Sequence, residues 1–327
     1  MRRGKAYVEL CLLAAAFMLV PPGATAQQAV RLVVPFQAGG AHDTLARLVA
    51  PVLSNQLKQS VIVENKPGAG GVIGLEYITT ALPDGMTVLV GSGNVMAAIP
   101  ATDVVLKQDS RVINLVNQAV PVSLIGKVGA IICVTPSLPI QSFAEMIAYA
   151  KANPNKLFYG TVGVGGTAQL TMELLAQQAG IKLTAVAYKG QPPAAQDLIA
   201  GHIQLMLLNY ETAAPMIQSG KVRPLAIASP ARHPDYPDLP TVAESGFPGF
   251  QADLWTALFL PPKSSQAVID RLHAAVVATM ASPELRKQIE NAKIQPVTST
   301  PEELAALIRE DFGKWSRAAK QAQAASN

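Results

Sequence analysis

Twice along this chain a short β-prone run ends in a glycine-rich loop and passes straight into a run of helical periodicity. The first passage is a strand predicted over Val30 to Pro35, the loop Pro35-Phe36-Gln37-Ala38-Gly39-Gly40-Ala41-His42-Asp43, and a helix predicted over Thr44 to Leu57. The second is a strand predicted over Leu157 to Tyr159, the loop Gly160-Thr161-Val162-Gly163-Val164-Gly165-Gly166-Thr167-Ala168, and a helix predicted over Gln169 to Ala179. A strand that feeds a helix in this way returns through a crossover to a parallel neighbour, with the helix packed on the sheet. That repeated pattern excludes all-β and all-helical folds.

Further strands are predicted at Val61 to Glu64, Thr87 to Val90, Ala130 to Val134, Thr184 to Ala187, Leu205 to Leu208 and Val222 to Ala228. Helices are predicted at Val72 to Ala81, Phe143 to Ala152 and Ala194 to Ala200. From Pro230 to Pro262 proline and glycine break the pattern, except for a strand-like run at Leu254 to Leu260 suited to a crossing between domains. Two amphipathic helices are predicted at the end, Ser265 to Met280 and Glu302 to Ala319. Thr300-Pro301-Glu302-Glu303 supplies the second with an N-cap, a first-position proline and a capping-box glutamate. The stretch 102–120 gives no firm element. With 327 residues, half of them apolar, the chain has material for two α/β domains and is not disordered.

Residues 1–26 have the features of an export signal: basic Arg2, Arg3 and Lys5, an apolar run of 11 residues from Leu10 to Val20, the breaker Pro21-Pro22-Gly23, and Ala24-Thr25-Ala26 before a cleavage at Gln27. The run is shorter than the roughly 20 residues of a membrane span, so the mature chain is expected in the periplasm. Without this leader, basic and acidic residues number 23 and 21, and aromatics are only 5% of the chain. Neither a basic nucleic-acid groove nor an aromatic stacking platform is encoded, and no nucleic-acid partner is expected. Cys133 is left as the mature chain's only cysteine, expected to be a buried structural thiol.

The glycine loops carry the functional signal. Helix starts expose N-H donors and about half a positive charge, so two that face one cleft match a carboxylate without lysine or arginine, and neither loop contains either. Asp43 is expected to cap the first helix, and His42 to stand on the loop at the cleft rim. A third run, Pro67-Gly68-Ala69-Gly70-Gly71, places Ala69 and Gly70 before another helix start, where they are expected to line the cleft and touch the ligand. It lacks the spacing and the following acidic residue of a dinucleotide site, and there is no G-x-x-x-x-G-K-[ST] run for a nucleotide P-loop. G-x-S-x-G, H-E-x-x-H and C-x-x-C are missing, and the four histidines have no ligand spacing. Tyr188-Lys189-Gly190 is read as lining a cleft, with a catalytic role as its alternative. No catalytic residue, metal or cofactor is expected, and binding without chemistry is favoured.

Pro35-Phe36-x-x-Gly39-Gly40-x-x-Asp43, Val63-Glu64-Asn65-Lys66-Pro67-Gly68-Ala69-Gly70-Gly71, Pro83-Asp84-Gly85, Lys151-Ala152-Asn153-Pro154, Gly163-x-Gly165, Tyr188-Lys189-Gly190, Leu239-Pro240-Thr241-Val242-Ala243-Glu244-Ser245-Gly246 and Pro261-Pro262 follow one another along nearly the whole mature chain. In this series the chain resembles the receptors of tripartite tricarboxylate transporters, the Bug family. The resemblance implies a monomeric, two-lobed α/β protein of the type II periplasmic-binding-protein class, each lobe a mainly parallel sheet flanked by helices. Lobe 1 would comprise 27–125 and 229–327, and lobe 2 residues 126–228. It further implies that Phe36, Ala38, Gly39, Gly40 and Asp43, with Gly163, Gly165, Gly166, Thr167 and Ala168, hold a carboxylate, partly through ordered water. Ser92, Asn94, Tyr188 and Asn209 would reach a second carboxylate or the ligand body. The implied ligand is a small organic carboxylate, a di- or tricarboxylate or an aromatic acid, handed to a membrane permease; presentation to a sensor kinase is the alternative, and an exported enzyme a remote one. His42 and Met86 depart from the family's usual residues at their positions.

Overall fold

A computed structural model describes residues 28–107, 110–162, 164–250, 252 and 254–326. The expected export signal lies outside them. The chain begins with β1 (Val30–Val34), α1 (Ala41–Leu57), β2 (Val61–Asn65), α2 (Val72–Thr79), β3 (Thr87–Ser92), α3 (Ile99–Leu106), α4 (Ser110–Gln118) and β4 (Val120–Val128). It continues through β5 (Ala130–Val134), α5 (Phe143–Ala152), β6 (Phe158–Val162), α6 (Thr167–Ala179), β7 (Thr184–Tyr188), α7 (Gln191–Ala200), β8 (Leu205–Asn209), α8 (Tyr210–Gln218) and β9 (Arg223–Ile227). It ends with β10 (Leu254–Leu260), α9 (Gln266–Met280), α10 (Pro283–Asn291), β11 (Ile294–Gln295) and α11 (Pro301–Ser326).

Two sheets result, in the orders β11-β4-β10-β3-β1-β2 and β7-β6-β8-β5-β9. In each, one strand sits between two parallel partners, β1 between β2 and β3, and β6 between β7 and β8. In each, an antiparallel strand follows: β10 beside β3, and β5 beside β8. The sheets are therefore mixed, which corrects the expectation of mainly parallel ones. The physical reason is the two crossings of the chain, which insert β5 and β10 from the other lobe against the run of their neighbours.

The expected lobe limits at 126 and 228 also meet a different membership. Strand β4 stays paired with β10 to Val128, and the chain passes to the second sheet at Gly129, where a Cβ would stand 1.9 Å from the Tyr210 ring. On the return, Val242, Phe250 and Ala252 pack into the second lobe's core with Phe143 and Tyr159. The second crossing thus falls just before β10.

Alternation along β1 explains why a nearly continuous apolar run was required. Leu32 and Val34 face α1 and α9, while Val33 faces Leu75, Trp255 and Phe259 on the opposite side. Both faces of the sheet are covered, as βαβ crossovers demand. Helix α5 opens on a reciprocal cap, Ser142 Oγ accepting the Glu145 N-H at 3.2 Å while Glu145 Oε2 accepts the Gln141 N-H at 2.7 Å. The expected box at Thr300 forms the same way with Glu303 and starts α11. That last helix runs across both lobes. Trp315, Ala318 and Ala319 share a buried cluster with Ala98 and Ala101 of the first lobe and Leu170 of α6 in the second. Burying side chains the size of Leu170 and Trp315 contributes on the order of 2 kcal/mol each to this seam. No helix among the described residues is long and apolar enough to cross a membrane.

Candidate functional site

In an open α/β sheet, ligands collect outside the carboxyl ends of the strands where successive crossovers diverge. Here those points are the ends of β1 and β6, the two places where the sequence has its glycine loops. They face each other across the lobes. Between them lies a cavity of about 70 Å³ lined by Phe36, Gln37, Gly40, Ala41 and His42 from the first lobe, Asn94 beyond β3, and Val162, Thr167, Ala168, Gly190, Gln191, Pro192 and Asn209 from the second, with Leu254 at the crossing. Four helix starts, those of α1, α6, α7 and α8 (N-cap Asn209), therefore converge on one space. A wider groove of about 680 Å³ beside Gly129 involves neither glycine loop, and its Lys293 and Asp235 form an ion pair with each other.

Helix α1 begins at Ala41, not Thr44, with Gly40 as its extended N-cap. Asp43 is consequently inside the first turn rather than at the cap. It is 3% exposed, and its Oδ2 accepts the Gly39 N-H at 3.0 Å and Arg47 Nε at 2.9 Å, while Oδ1 accepts Asn65 Nδ2 at 2.8 Å. Burial raises its pKa, but the hydrogen bonds from Arg47, Gly39 and Asn65 outweigh that and hold it below the usual carboxylate value. Gly39, at φ +87°, makes the turn that lets this bond form. His42 is a helix residue as well. It stacks on Phe36 with centroids 4.8 Å apart and shares a hydrogen bond of 2.7 Å with Thr256 Oγ1, and burial lowers its pKa to about 4, so the ring is neutral at ordinary pH.

At the opposite loop, Gly165 (φ +72°) donates its N-H to Gln169 Oε1 at 2.8 Å, and its carbonyl accepts Thr102 Oγ1 at 2.9 Å from the first lobe. Gly166 is the extended N-cap of α6 and leaves no room for a side chain: a Cβ would stand 2.4 Å from Asn94 Oδ1. Thr167 gives its N-H to Asn94 Oδ1 at 2.8 Å, and its own buried Oγ1 has no hydrogen-bond partner among the described residues. Gly163 lies outside the described residues.

Of the other expected site residues, Asn94 and Asn209 line the cavity, the latter accepting Gln191 Nε2 at 2.9 Å. Ala38 and Gly39 are exposed at the loop tip, outside the lining. Ala69 and Gly70 form a tight turn whose Gly70 carbonyl accepts Asn94 Nδ2 at 2.9 Å, so they brace a lining residue. Ser92 is buried at the end of β3, its Oγ without a hydrogen-bond partner among the described residues. Tyr188 is not part of the lining; its hydroxyl donates to Asp197 at 2.6 Å, and burial ahead of that carboxylate pushes its pKa up to about 12. Gln191 and Pro192 are not among the expected site residues, although β7, Gly190 and a helix with proline in its first turn repeat the strand, glycine, helix signal once more.

Two lobes joined by two crossings, with helix starts from both aimed at one cavity, define a binding protein that encloses its ligand between lobes. The chain belongs to the tripartite tricarboxylate transporter receptor family, whose pattern matches residues 45–323. It is similar to the solved periplasmic binding protein BugD, at 30% identity over 90% of this chain and 97% of that one, with a TM-score of 0.81. It is likewise similar to Rpa4515 of R. palustris, solved with adipate, at 32% identity over 92% and 98% of the two chains (TM-score 0.82). A third similar structure is MatC of Rhodopseudomonas palustris with bound malate, at 28% identity over 89% and 98% (TM-score 0.82).

Proposed function

We propose that this receptor works in the periplasm after removal of residues 1–26, captures a small organic carboxylate between its lobes, and delivers it to a membrane permease. The observation that carries this reading is the convergence of the α1, α6, α7 and α8 starts on a cavity whose lining includes Thr167, its Oγ1 without a hydrogen-bond partner among the described residues. Helix starts present N-H groups that have no acceptor within their own helix, and together with the dipoles they favour an anion over a neutral solute. The carboxylates held by Rpa4515 and MatC support the same class of ligand. Closure follows from differential affinity: a ligand touching both loops binds the closed arrangement more tightly than the open one and shifts the population toward it. The moving bodies are proposed to divide at Gly129 and just before β10, and the site to consist of the cavity lining rather than the loop tips.

A thermal-shift screen of residues 27–327 against mono-, di- and tricarboxylates and aromatic acids tests the proposal. A saturable rise with an acid, and recovery of that acid unchanged after incubation, is the expected result. Turnover of the acid, or a rise only with neutral or cationic solutes, overturns it.

A further inference from the structure

Among the described residues that line the cavity between the lobes, His42 alone carries an ionisable side chain. Two contacts fix its ring. Nδ1 shares the 2.7 Å hydrogen bond with Oγ1 of Thr256, a fully buried residue of β10, and the ring stacks on Phe36 at an interplanar angle of 28°. The other ring nitrogen, Nε2, has no hydrogen-bond partner among the described residues and is not one of the sealed polar atoms. From the second lobe the same cavity receives Thr167, a buried residue whose Oγ1 is likewise without a partner among the described residues. Other polar side chains of the lining are engaged: Asn94 joins Thr167 to Gly70, and Gln191 donates to Asn209. A ligand in this cavity therefore meets an unpaired polar group from each lobe, and the one from the first lobe is held in place before binding.

The two groups suit different parts of a ligand. Thr167 is the first residue of α6, a helix with no acidic residue in its first turn, so the dipole and free N-H groups there favour a carboxylate and the hydroxyl adds a donor. Helix α1 already carries an acid of the chain itself, Asp43, in its first turn. The imidazole beside it is neutral, because burial lowers its pKa to about 4. A neutral ring accepts at Nε2 when Nδ1 holds the proton and donates there when it does not, and the Thr256 hydroxyl accommodates both tautomers. A carboxylate oxygen pairs with Nε2 in only one tautomer and an ammonium in only the other. A ligand hydroxyl both donates and accepts, so it is matched in either, whereas a bare methylene leaves the nitrogen unpaired once the lobes have excluded water. The cavity of about 70 Å³ is also far smaller than the roughly 300–1,000 Å³ of a drug-sized site, which confines the ligand to a short chain. We propose that His42 determines specificity: the ligand is a short hydroxycarboxylate that sets its carboxylate at the α6 start against Thr167 and its hydroxyl on His42 Nε2. This rests on the carboxylate-receptor reading above and narrows it to one class of acid.

The test is calorimetry on the mature protein and on His42→Phe, which keeps a ring against Phe36 and removes both nitrogens, with acids matched except for the hydroxyl: propionate and lactate, butyrate with 3- and 4-hydroxybutyrate, succinate and malate. In at least one set the wild-type protein is expected to bind the hydroxy acid at least about tenfold more tightly than its parent, and His42→Phe to bring the two within about twofold of each other. A smaller wild-type ratio in every set overturns the proposal, and so does a ratio that stays above twofold in His42→Phe. Because that variant also takes the partner from Thr256 Oγ1, a second measurement uses the wild-type protein alone. Addition of the preferred hydroxy acid should shift the ring ¹⁵N signals of one histidine, with His202, His233 and His273, which lie outside the lining, as internal references. An unchanged spectrum overturns the proposal whether or not the variant folds. In all of these outcomes the receptor reading stands. Absence of binding to every acid of the sets overturns the assignment of His42, and the receptor reading falls with it only where the wider acid screen is also silent.

Discussion

The Asn94 side chain ties the lobes together: its Oδ1 accepts the Thr167 N-H at 2.8 Å, and its Nδ2 donates to the Gly70 carbonyl at 2.9 Å. One amide thereby satisfies a helix-start donor in the second lobe and anchors itself to a tight turn in the first. Only a group that both donates and accepts can do this.

Replacing it with alanine leaves the Thr167 N-H and the Gly70 carbonyl without these partners, at a cost of about 1–3 kcal/mol to the closed arrangement. Asn94→Ala is expected to weaken ligand binding by roughly tenfold or more and to enlarge the radius of gyration in small-angle scattering. Asn94→Asp keeps an acceptor for the Thr167 N-H but sets a carboxylate oxygen against the Gly70 carbonyl and a charge at the α6 start, so it should lose carboxylate binding and also melt at a lower temperature. Retention of full affinity by both variants would contradict the bridging role.

Two glycines at the loops separate crowding from backbone strain. Gly166 has an ordinary extended backbone, so Gly166→Ala acts only through collision with Asn94 Oδ1 and the Val162 carbonyl, at 2.4 and 2.8 Å from the added carbon. Gly39 has φ +87° with nothing within 4 Å of an added Cβ, so Gly39→Ala strains the turn without touching the cavity. Affinity is expected to fall in the first, and stability by about 1–2 kcal/mol in the second with affinity kept. Calorimetry and denaturant titration on the pair distinguish these effects, and an equal loss of affinity in both would refute the separation.

Stability should depend on pH through two opposed groups at the α1 start. Burial raises the Glu211 pKa from 4.5 to about 7, so between those values the folded chain keeps a proton that the unfolded chain has released, and stability falls as pH rises. His42, one residue beyond Ala41, is lowered by burial from 6.5 to about 4, so the folded chain lacks a proton that the unfolded chain binds, and stability falls as pH drops through that window. Glu211→Gln removes only the first slope. The stability difference, wild type minus variant, should shrink by up to about 3 kcal/mol between acid and alkaline conditions. A difference flat with pH would show that Glu211 is not held as described.

Asp43 is a structural hub under the α1 start. Asp43→Ala strips partners from the Gly39 N-H, Arg47 and Asn65 at a 3%-exposed position, and should destabilise by about 2–4 kcal/mol in urea titration. A loss below about 0.5 kcal/mol would mean that water replaces it readily.

Cys133, buried in β5, has its thiol pushed well up by burial. It is expected to stay silent toward a thiol reagent in the native protein and to react stoichiometrically in denaturant. Rapid labelling of the native state would contradict its burial.

Local sequence was enough for elements with clean periodicity and caps, such as α5 between Ser142 and Asn153 and α11 after Thr300. It does not show α8, where Pro215 falls inside the helix, or α10, whose first residue is Pro283. It also leaves out α3, α4 and β4, which span and follow the stretch 102–120, because their apolar residues are patterned for neighbours distant in sequence. Asp43 was assigned to the cap because a side-chain acceptor before a helix ordinarily serves there; Gly40 supplies the N-cap and Asp43 turns back to Gly39 instead.

The α/β class, the two glycine loops at strand-to-helix joints and the family resemblance are legible in the order of residues alone, since turn chemistry and periodicity act over a few residues. Tertiary structure alone decided that the crossings make both sheets mixed, that Asn94 reaches Thr167, 73 positions away, and that Glu211 meets the start of α1 from the other lobe. Those relations depend on how two lobes, each folded around its own core, are set against each other by two crossings and by α11. Burial and approach across that seam set the charge of the site, and no local pattern of residues encodes them.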